Sequence, residues 1–282
     1  MEDLLKITKN VSKEAFKVAE EYWPGPLTMI FEKNEKVPYG TTGGLNTVAV
    51  RMPSHEIARA VIDAGGGYIA APSANTSGRP SPTAAEHVKE DMDGRIDMIV
   101  DGGDVEIGVE STILDMTVTP PMILRPGAVT KEMLEDLIGE VAEDVALIDP
   151  DSKKKPKAPG MKYRHYAPSA DYTIYKGDEV KVAKKIIELA NEKADEGKIT
   201  GIITADQHLH MYQGRLNKSI KVVSLGDLEK PETVANHLFK ALRDFDKVDT
   251  EFIFGEAFSE KNVGQAIMNR LTKAAGYNII DV

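Results

Sequence analysis

Ala70-Ala71-Pro72-Ser73-Ala74-Asn75-Thr76-Ser77-Gly78-Arg79-Pro80-Ser81-Pro82-Thr83 crowds hydroxyls, an amide and a guanidinium into one short run. The apolar Tyr68-Ile69-Ala70-Ala71 before it suits a buried strand end, and Thr83-Ala84-Ala85-Glu86 after it has capping-box spacing. A strand feeding a helix through a polar loop is the repeating step of an α/β fold. The first amides of such a helix have no intrahelical partner and lie at the positive end of its dipole. The loop therefore suits a phosphate or carboxylate, with Arg79 adding a charge-assisted fork. On composition alone, a Ser/Pro-rich connector whose hydroxyls cap and turn the chain is the plainer reading.

Toward the N-terminus, Ser12 is placed to cap a helix with Ala15, Phe16, Ala19, Tyr22 and Trp23 on one side, which Pro24-Gly25-Pro26 stops. Strands are predicted over 27–31 and 47–52. In the second, Thr47, Ala49 and Arg51 share one sheet face and Val48, Val50 and Met52 the other. Ser54 is expected to cap a helix over 57–64, and Gly65-Gly66-Gly67 to return the chain to a strand at 68–71. Further strands are expected at 96–100, 111–116 and 122–124, Asp101-Gly102-Gly103-Asp104 reads as a turn, and Thr130 opens a helix ended by Gly139. His55 and His87, at helix starts or early turns, suit polar, solvent-facing roles.

From 141 to 169 apolar periodicity fades while Lys, Pro and Gly accumulate, which marks a linker. Beyond it, strands at 172–175, 201–204, 222–225 and 251–254 alternate with helices at 180–194, 231–246 and 264–275, as in a parallel or mostly parallel sheet covered by helices. The domains are expected at 1–140, 141–169 (linker) and 170–282. The second domain has no Gly-rich nucleotide fingerprint, and its His208-x-His210 lacks a third metal ligand, so a solvated loop is the plainer reading. There is no internal repeat.

The 282 residues, 41% hydrophobic and 28% charged, are enough for two domains with separate cores. The chain has no cysteine, which excludes disulfides, thiolate catalysis and Cys-based metal sites. No membrane-spanning stretch or leader pattern is evident, so a cytoplasmic location away from any membrane is expected. A formal charge of −10 argues against broad nucleic-acid affinity, although Lys153-Lys154-Lys155-Pro156-Lys157 is locally basic.

Taken with Trp23-Pro24-Gly25-Pro26-Leu27-Thr28, Gly43 to Pro53, Gly108-Val109-Glu110-Ser111-Thr112-Ile113 and Ile123-Leu124-Arg125-Pro126-Gly127, the opening stretch resembles the motifs of the threonylcarbamoyl-AMP synthases, in the family's order. These YrdC-like enzymes make the activated intermediate for threonylcarbamoyl-adenosine in tRNA. Ala158 to Pro168 is similar to the linker of the two-domain members. The resemblance implies a YrdC-like twisted α/β sheet domain, shortened at its N-terminus, followed by a Rossmann-like α/β domain. It implies that bicarbonate, L-threonine and ATP are joined into threonylcarbamoyl-AMP with release of pyrophosphate. Convergent donors matter more than a strong base for such anionic reactants, and no nucleophile–base pair accompanies them.

Position by position, the resemblance assigns Arg51, Ala71 (through its backbone) and Ser111 to threonine, and Thr47, Ser73, Ser81 and Arg125 to ATP. Arg51 and Arg125 supply electrostatic stabilisation, since a planar fork grips a carboxylate or phosphate bidentately. Asn75, Ser77 and Arg79 join the same loop by proximity, and Tyr166, or else Tyr163, is expected to close over the nucleotide. The plain alternatives are a surface ion pair for Arg51 and a linker anchor for the tyrosines. Mg²⁺ is expected with ATP rather than on a protein ligand cluster, and no redox cofactor is expected. tRNA-modification transferase proteins and tRNA are the implied partners. The family's Pro-Thr-Glu-Thr-like strand and Lys-x-Arg-Pro-like loop have no counterpart here, so an exposed sheet edge and self-association are expected. The alternative from another class is a catalytically disabled nucleotide- or RNA-binding regulatory module of the same fold.

Overall fold

The structure is a computed structural model that describes residues 2–144 and 166–282. These fall into two units, one of 2–72 and 110–144 and the other of 73–109 and 166–282. Expectations for Tyr163, for the basic run 153–157 and for most of the linker lie outside the described residues.

In the first unit, a short helix α1 (Glu2–Leu5) and strand β1 (Thr8–Lys9) precede α2 (Lys13–Tyr22). Ser12 caps α2 as its sequence suggests, its Oγ accepting the Ala15 N–H at 3.1 Å. The helix ends at Pro24-Gly25-Pro26, where a Cβ on residue 25 would lie 2.3 Å from the Tyr22 carbonyl oxygen, so only glycine fits. β2 (Leu27–Lys33) then enters the centre of a mixed sheet. It pairs antiparallel with β1 and β3 (Thr47–Val50) and parallel with β4 (Thr112–Asp115). β4 pairs antiparallel with β5 (Met122–Arg125), which runs parallel to β6 (Ala142–Glu143). Alternation along β2 sends Leu27, Met29 and Phe31 to one face, where they pack with Ala15, Val18 and Ala19 of α2, Leu114 and Ile123. Leu134 of α5 (Lys131–Ile138) completes that core. Thr130 caps α5 and Gly139, at φ 82°, ends it. Among the described residues, only Ile30, Ile113 and Leu124 cluster on the opposite face, with Met122 against them.

The helix after β3, α3 (Glu56–Ala64), begins from His55 with no side-chain cap bond, so the expected Ser54 cap is not formed. The runs 68–71 and 96–100 are not strands either. A strand is a pairing state rather than a composition, and neither run pairs with a described strand. Tyr68, Ile69 and Met98 are exposed instead. The expected turn does form at 101–104, where Asp101 Oδ1 accepts the Gly103 N–H at 2.9 Å.

The second unit carries α4 (Ala85–Met92) and a five-stranded parallel sheet. The sheet's elements are β7 (Asp171–Lys176), α6 (Glu179–Asp195), β8 (Thr200–Thr204), α7 (Leu209–Tyr212), β9 (Lys221–Ser224), α8 (Pro231–Asp246), β10 (Phe252–Glu256), α9 (Val263–Ala274) and β11 (Ile279–Asp281). The strand order is β11-β7-β10-β8-β9, so the chain steps one way to β9 and back through β10 to β11. Right-handed crossovers then place α6 and α7 on one face and α8 and α9 on the other. The two cores agree: Val182, Ile186 and Tyr212 pack with Ile202 and Phe254, whereas Leu238, Phe239 and Leu271 pack with Ile203 and Ile253.

Candidate anion-binding site

In the first unit, register decides which side chains share a surface. Ile30 opposes Ala49 and Glu32 opposes Thr47, so Thr47, Ala49 and Arg51 lie on the sheet face away from α2 and α5. Thr28 aligns with Ile113, and Ile113 opposes Arg125, which puts Thr28, Ser111 and Arg125 on that same face. Its apolar cover is thin and its polar groups are tied together. The Thr28 and Ser111 hydroxyls are 2.7 Å apart. Arg125 donates through Nε to the Ser111 carbonyl at 3.1 Å and through Nη2 to Ser111 Oγ at 3.3 Å. Arg51 Nε donates to the Gly25 carbonyl at 3.0 Å, anchoring β3's continuation to the Pro-Gly-Pro turn. Desolvation lowers the Arg51 pKa, which starts high enough that it is a cation at neutral pH. Thr47 lines a groove with Lys33, Tyr39, Asn46 and Thr117, where Lys33 Nζ sits 3.8 Å from the Tyr39 ring centre. This face thus presents hydroxyls and two guanidiniums, the donor set that anionic reactants require. Ala71 is exposed.

The second unit holds the polar loop. Ser73 and Ser77 are exposed and Ser81 is buried. Asn75 Nδ2 donates to the carbonyls of Thr76 and Arg79 at 3.0 and 3.3 Å, while its Oδ1 is buried without a partner. Arg79 pairs with Asp91 of α4, which also accepts the Thr76 N–H at 3.1 Å and Arg243 Nη2 of α8 at 2.8 Å. Burial raises the Asp91 pKa, but the Arg243 hydrogen bond and charge, with Thr76 and Arg79, outweigh it and hold the carboxyl below its ordinary value. Tyr166, at φ 65°, is buried with its ring 5.0 Å from that of Phe239 in α8.

Three local expectations are corrected here. The Thr83–Glu86 capping box does not form. α4 starts from Ala84 without a side-chain cap bond, the Thr83 N–H donates to His87 Nδ1 at 3.2 Å, and Glu86 turns to Lys247 at 3.0 Å. His87 is buried rather than solvent-facing, and burial first, then the charges of Arg243 and Lys247, lower its pKa. His208 is not a solvated loop residue: its Nδ1 lies 2.7 Å from the buried Glu256 carboxylate, which also accepts Tyr212 OH at 2.6 Å and Thr204 Oγ1 at 2.9 Å. Asp91, Arg243 and Thr28 went unassigned in the sequence reading, and only Thr28 stood inside a quoted motif. Among the described residues no group of three or more His, Asp or Glu side chains is arranged to hold a metal ion.

A mixed sheet with a donor-lined face and a helix-covered parallel sheet, joined in one chain, define a two-domain α/β protein. Residues 1–127 match the family described as telomere recombination, and residues 129–276 match the threonylcarbamoyl-AMP synthase C-terminal domain. The chain belongs to the two-domain threonylcarbamoyl-AMP synthase family. It is 47% identical over 281 residues to the threonylcarbamoyl-AMP synthase of Pyrococcus abyssi (strain GE5 / Orsay), covering 100% of this chain and 79% of that protein. It is 44% identical over 281 residues to that of Bacillus subtilis (strain 168), covering 99% and 77%. The crystal structure of P. abyssi Sua5 complexed with L-threonine superposes with a TM-score of 0.90 at 47% identity, covering 100% of this chain and 79% of that one.

Proposed function

We propose that the chain is an L-threonylcarbamoyladenylate synthase that joins L-threonine, bicarbonate and ATP into threonylcarbamoyl-AMP. By bond inventory, the threonine nitrogen gains a bond to the bicarbonate carbon, and a carbamate oxygen gains one to the α-phosphorus. Pyrophosphate and water leave. The observation that carries this reading is the shared sheet face of Arg51, Ser111 and Arg125 in a chain whose relatives bear that name.

Arg51, Ser111 and the Ala71 backbone take threonine in this reading, Arg51 facing its carboxylate. Thr47, Ser73, Ser81, Arg125 and Tyr166 take ATP, as the resemblance of their motifs implies. Residues 1–140 form the catalytic domain, 141–169 the linker and 170–282 the C-terminal domain. Magnesium enters as the ATP complex. No described helix is long and apolar enough to cross a membrane, and we place the enzyme in the cytoplasm, where a tRNA-modifying transferase consumes its labile product. Pyrophosphate release tests the function. It is expected to require ATP, L-threonine and bicarbonate together and to fall about 100-fold in Arg51→Ala, the scale of a lost charge-assisted fork. Nucleotide binding without turnover by the folded chain would instead favour the regulatory module.

A further inference from the structure

Between α3 and α4, residues 65–84 contain no helix or strand, so the Ser73–Thr83 loop cannot be held by its own ladder. Its support comes from α8. Arg243 donates through Nε at 3.1 Å and Nη2 at 2.7 Å to the Pro80 carbonyl, immediately before Ser81. The same guanidinium holds Asp91, which accepts the Thr76 N–H and pairs with Arg79, so one buried cation fixes both sides of the 76–80 turn. The Arg243 and Asp91 side chains are each 0% exposed. Seven residues earlier on the same helix face, Asn236 Nδ2 donates to the Val105 and Glu106 carbonyls at 2.9 and 2.5 Å. Gly108 packs so close that a Cβ there would lie 2.3 Å from Asn236 Cα. One face of α8 therefore grips both ends of the 73–109 segment.

Stability alone does not explain an ionic solution, because a buried ion pair is commonly replaceable by apolar side chains without loss. Geometry does explain it. A guanidinium fork can satisfy a carbonyl and a carboxylate together, which the single ammonium of lysine cannot do in the same directions. We propose that Arg243 is a positioning residue for ATP, setting the loop backbone that presents Ser73 and Ser81 to the nucleotide. This rests on the synthase reading and extends it to a residue in the C-terminal domain.

The test compares Arg243→Lys with wild type and with Lys247→Ala, which removes the neighbouring pairs to Glu86, Glu90 and Asp244 and leaves Arg243 in place. In Arg243→Lys the amides of residues 76–81 are expected to exchange about tenfold faster, and the ATP KM to rise about tenfold, the scale of one charge-assisted contact. The threonine KM and kcat should stay within about twofold, and Lys247→Ala should match wild type throughout. If Arg243→Lys does not fold, the near-isosteric Asp91→Asn takes its place with the same expectations. An unchanged ATP KM in a folded variant, or equal rises for ATP and threonine, overturns the proposal. Failure of the synthase reading is separately visible as a wild type that releases no pyrophosphate. Loop exchange and ATP affinity by equilibrium dialysis then decide: faster exchange with about tenfold weaker ATP supports the proposal, while unchanged affinity, or no ATP binding by wild type, overturns it.

Discussion

Ser111 illustrates how much one small side chain carries. Its hydroxyl meets Thr28 Oγ1 and Arg125 Nη2, while its carbonyl separately holds Arg125 Nε. Ser111→Ala removes the hydroxyl contacts and leaves the carbonyl one, so Arg125 keeps its place while Thr28 loses its partner. The expected result is a threonine KM about tenfold higher and a stability loss of about 1–3 kcal/mol, read from pyrophosphate release and urea denaturation. A threonine KM unchanged from wild type would remove Ser111 from the substrate contacts. Arg51, Arg125 and Ser111 stand inside motifs that the sequence shows in order, and counting gives the face that Arg51 shares with Thr47. Counting misplaces Arg125, which a register shift between Ile113 and Leu114 carries off the face of Ile123. The Arg79–Asp91–Arg243 cluster was not legible. Nothing in a run such as Glu86-His87-Val88-Lys89-Glu90-Asp91 tells a buried carboxylate from a solvated one, and its partner stands 152 residues away.

At the level of elements, β8 and α8 are fitted without spare room. A Cβ on Gly201 would lie 2.3 Å from the Phe245 ring, which is itself fully buried. Gly201→Ala must therefore push α8 from the sheet, and a loss of about 1–3 kcal/mol in urea denaturation is expected, the usual cost of overpacking a core. A neutral substitution would mean the helix yields at no cost. Every helix and strand read between 172 and 275 is present, because a parallel sheet buried on both faces leaves continuous apolar runs and its helices keep a 3.6-residue period. Sequence reading failed at 68–71 and 96–100, where apolar composition stood in for a partner strand, and at the caps of α3 and α4. At α4 the residues suited to capping were engaged by His87 and Lys247.

Across the whole molecule, the core packed by α2 and α5 belongs to one unit and the cores packed by α6 to α9 to the other, so calorimetry is expected to resolve two unfolding transitions. Acid should act on the second unit through His87. Burial and the Arg243 and Lys247 charges depress its pKa, with Glu90 and Asp244 opposing. The unfolded chain thus takes up this proton at higher pH than the folded one. The stabilisation is complete above about pH 6.5, the ordinary histidine value, and is lost as pH falls toward the depressed one. Between pH 7 and 5 the second unit's transition should drop about 2–5 °C more in wild type than in His87→Asn, whose side-chain oxygen still accepts the Thr83 N–H. Equal drops would clear His87 of the role. The Arg243–Pro80 contact spans 163 positions of chain. On the ribosome, the loop emerges long before the helix that secures it. A nascent or prematurely terminated polypeptide would therefore display the 73–83 loop without the contact that holds it, and the loop would reach its folded geometry only once residue 243 had cleared the exit tunnel.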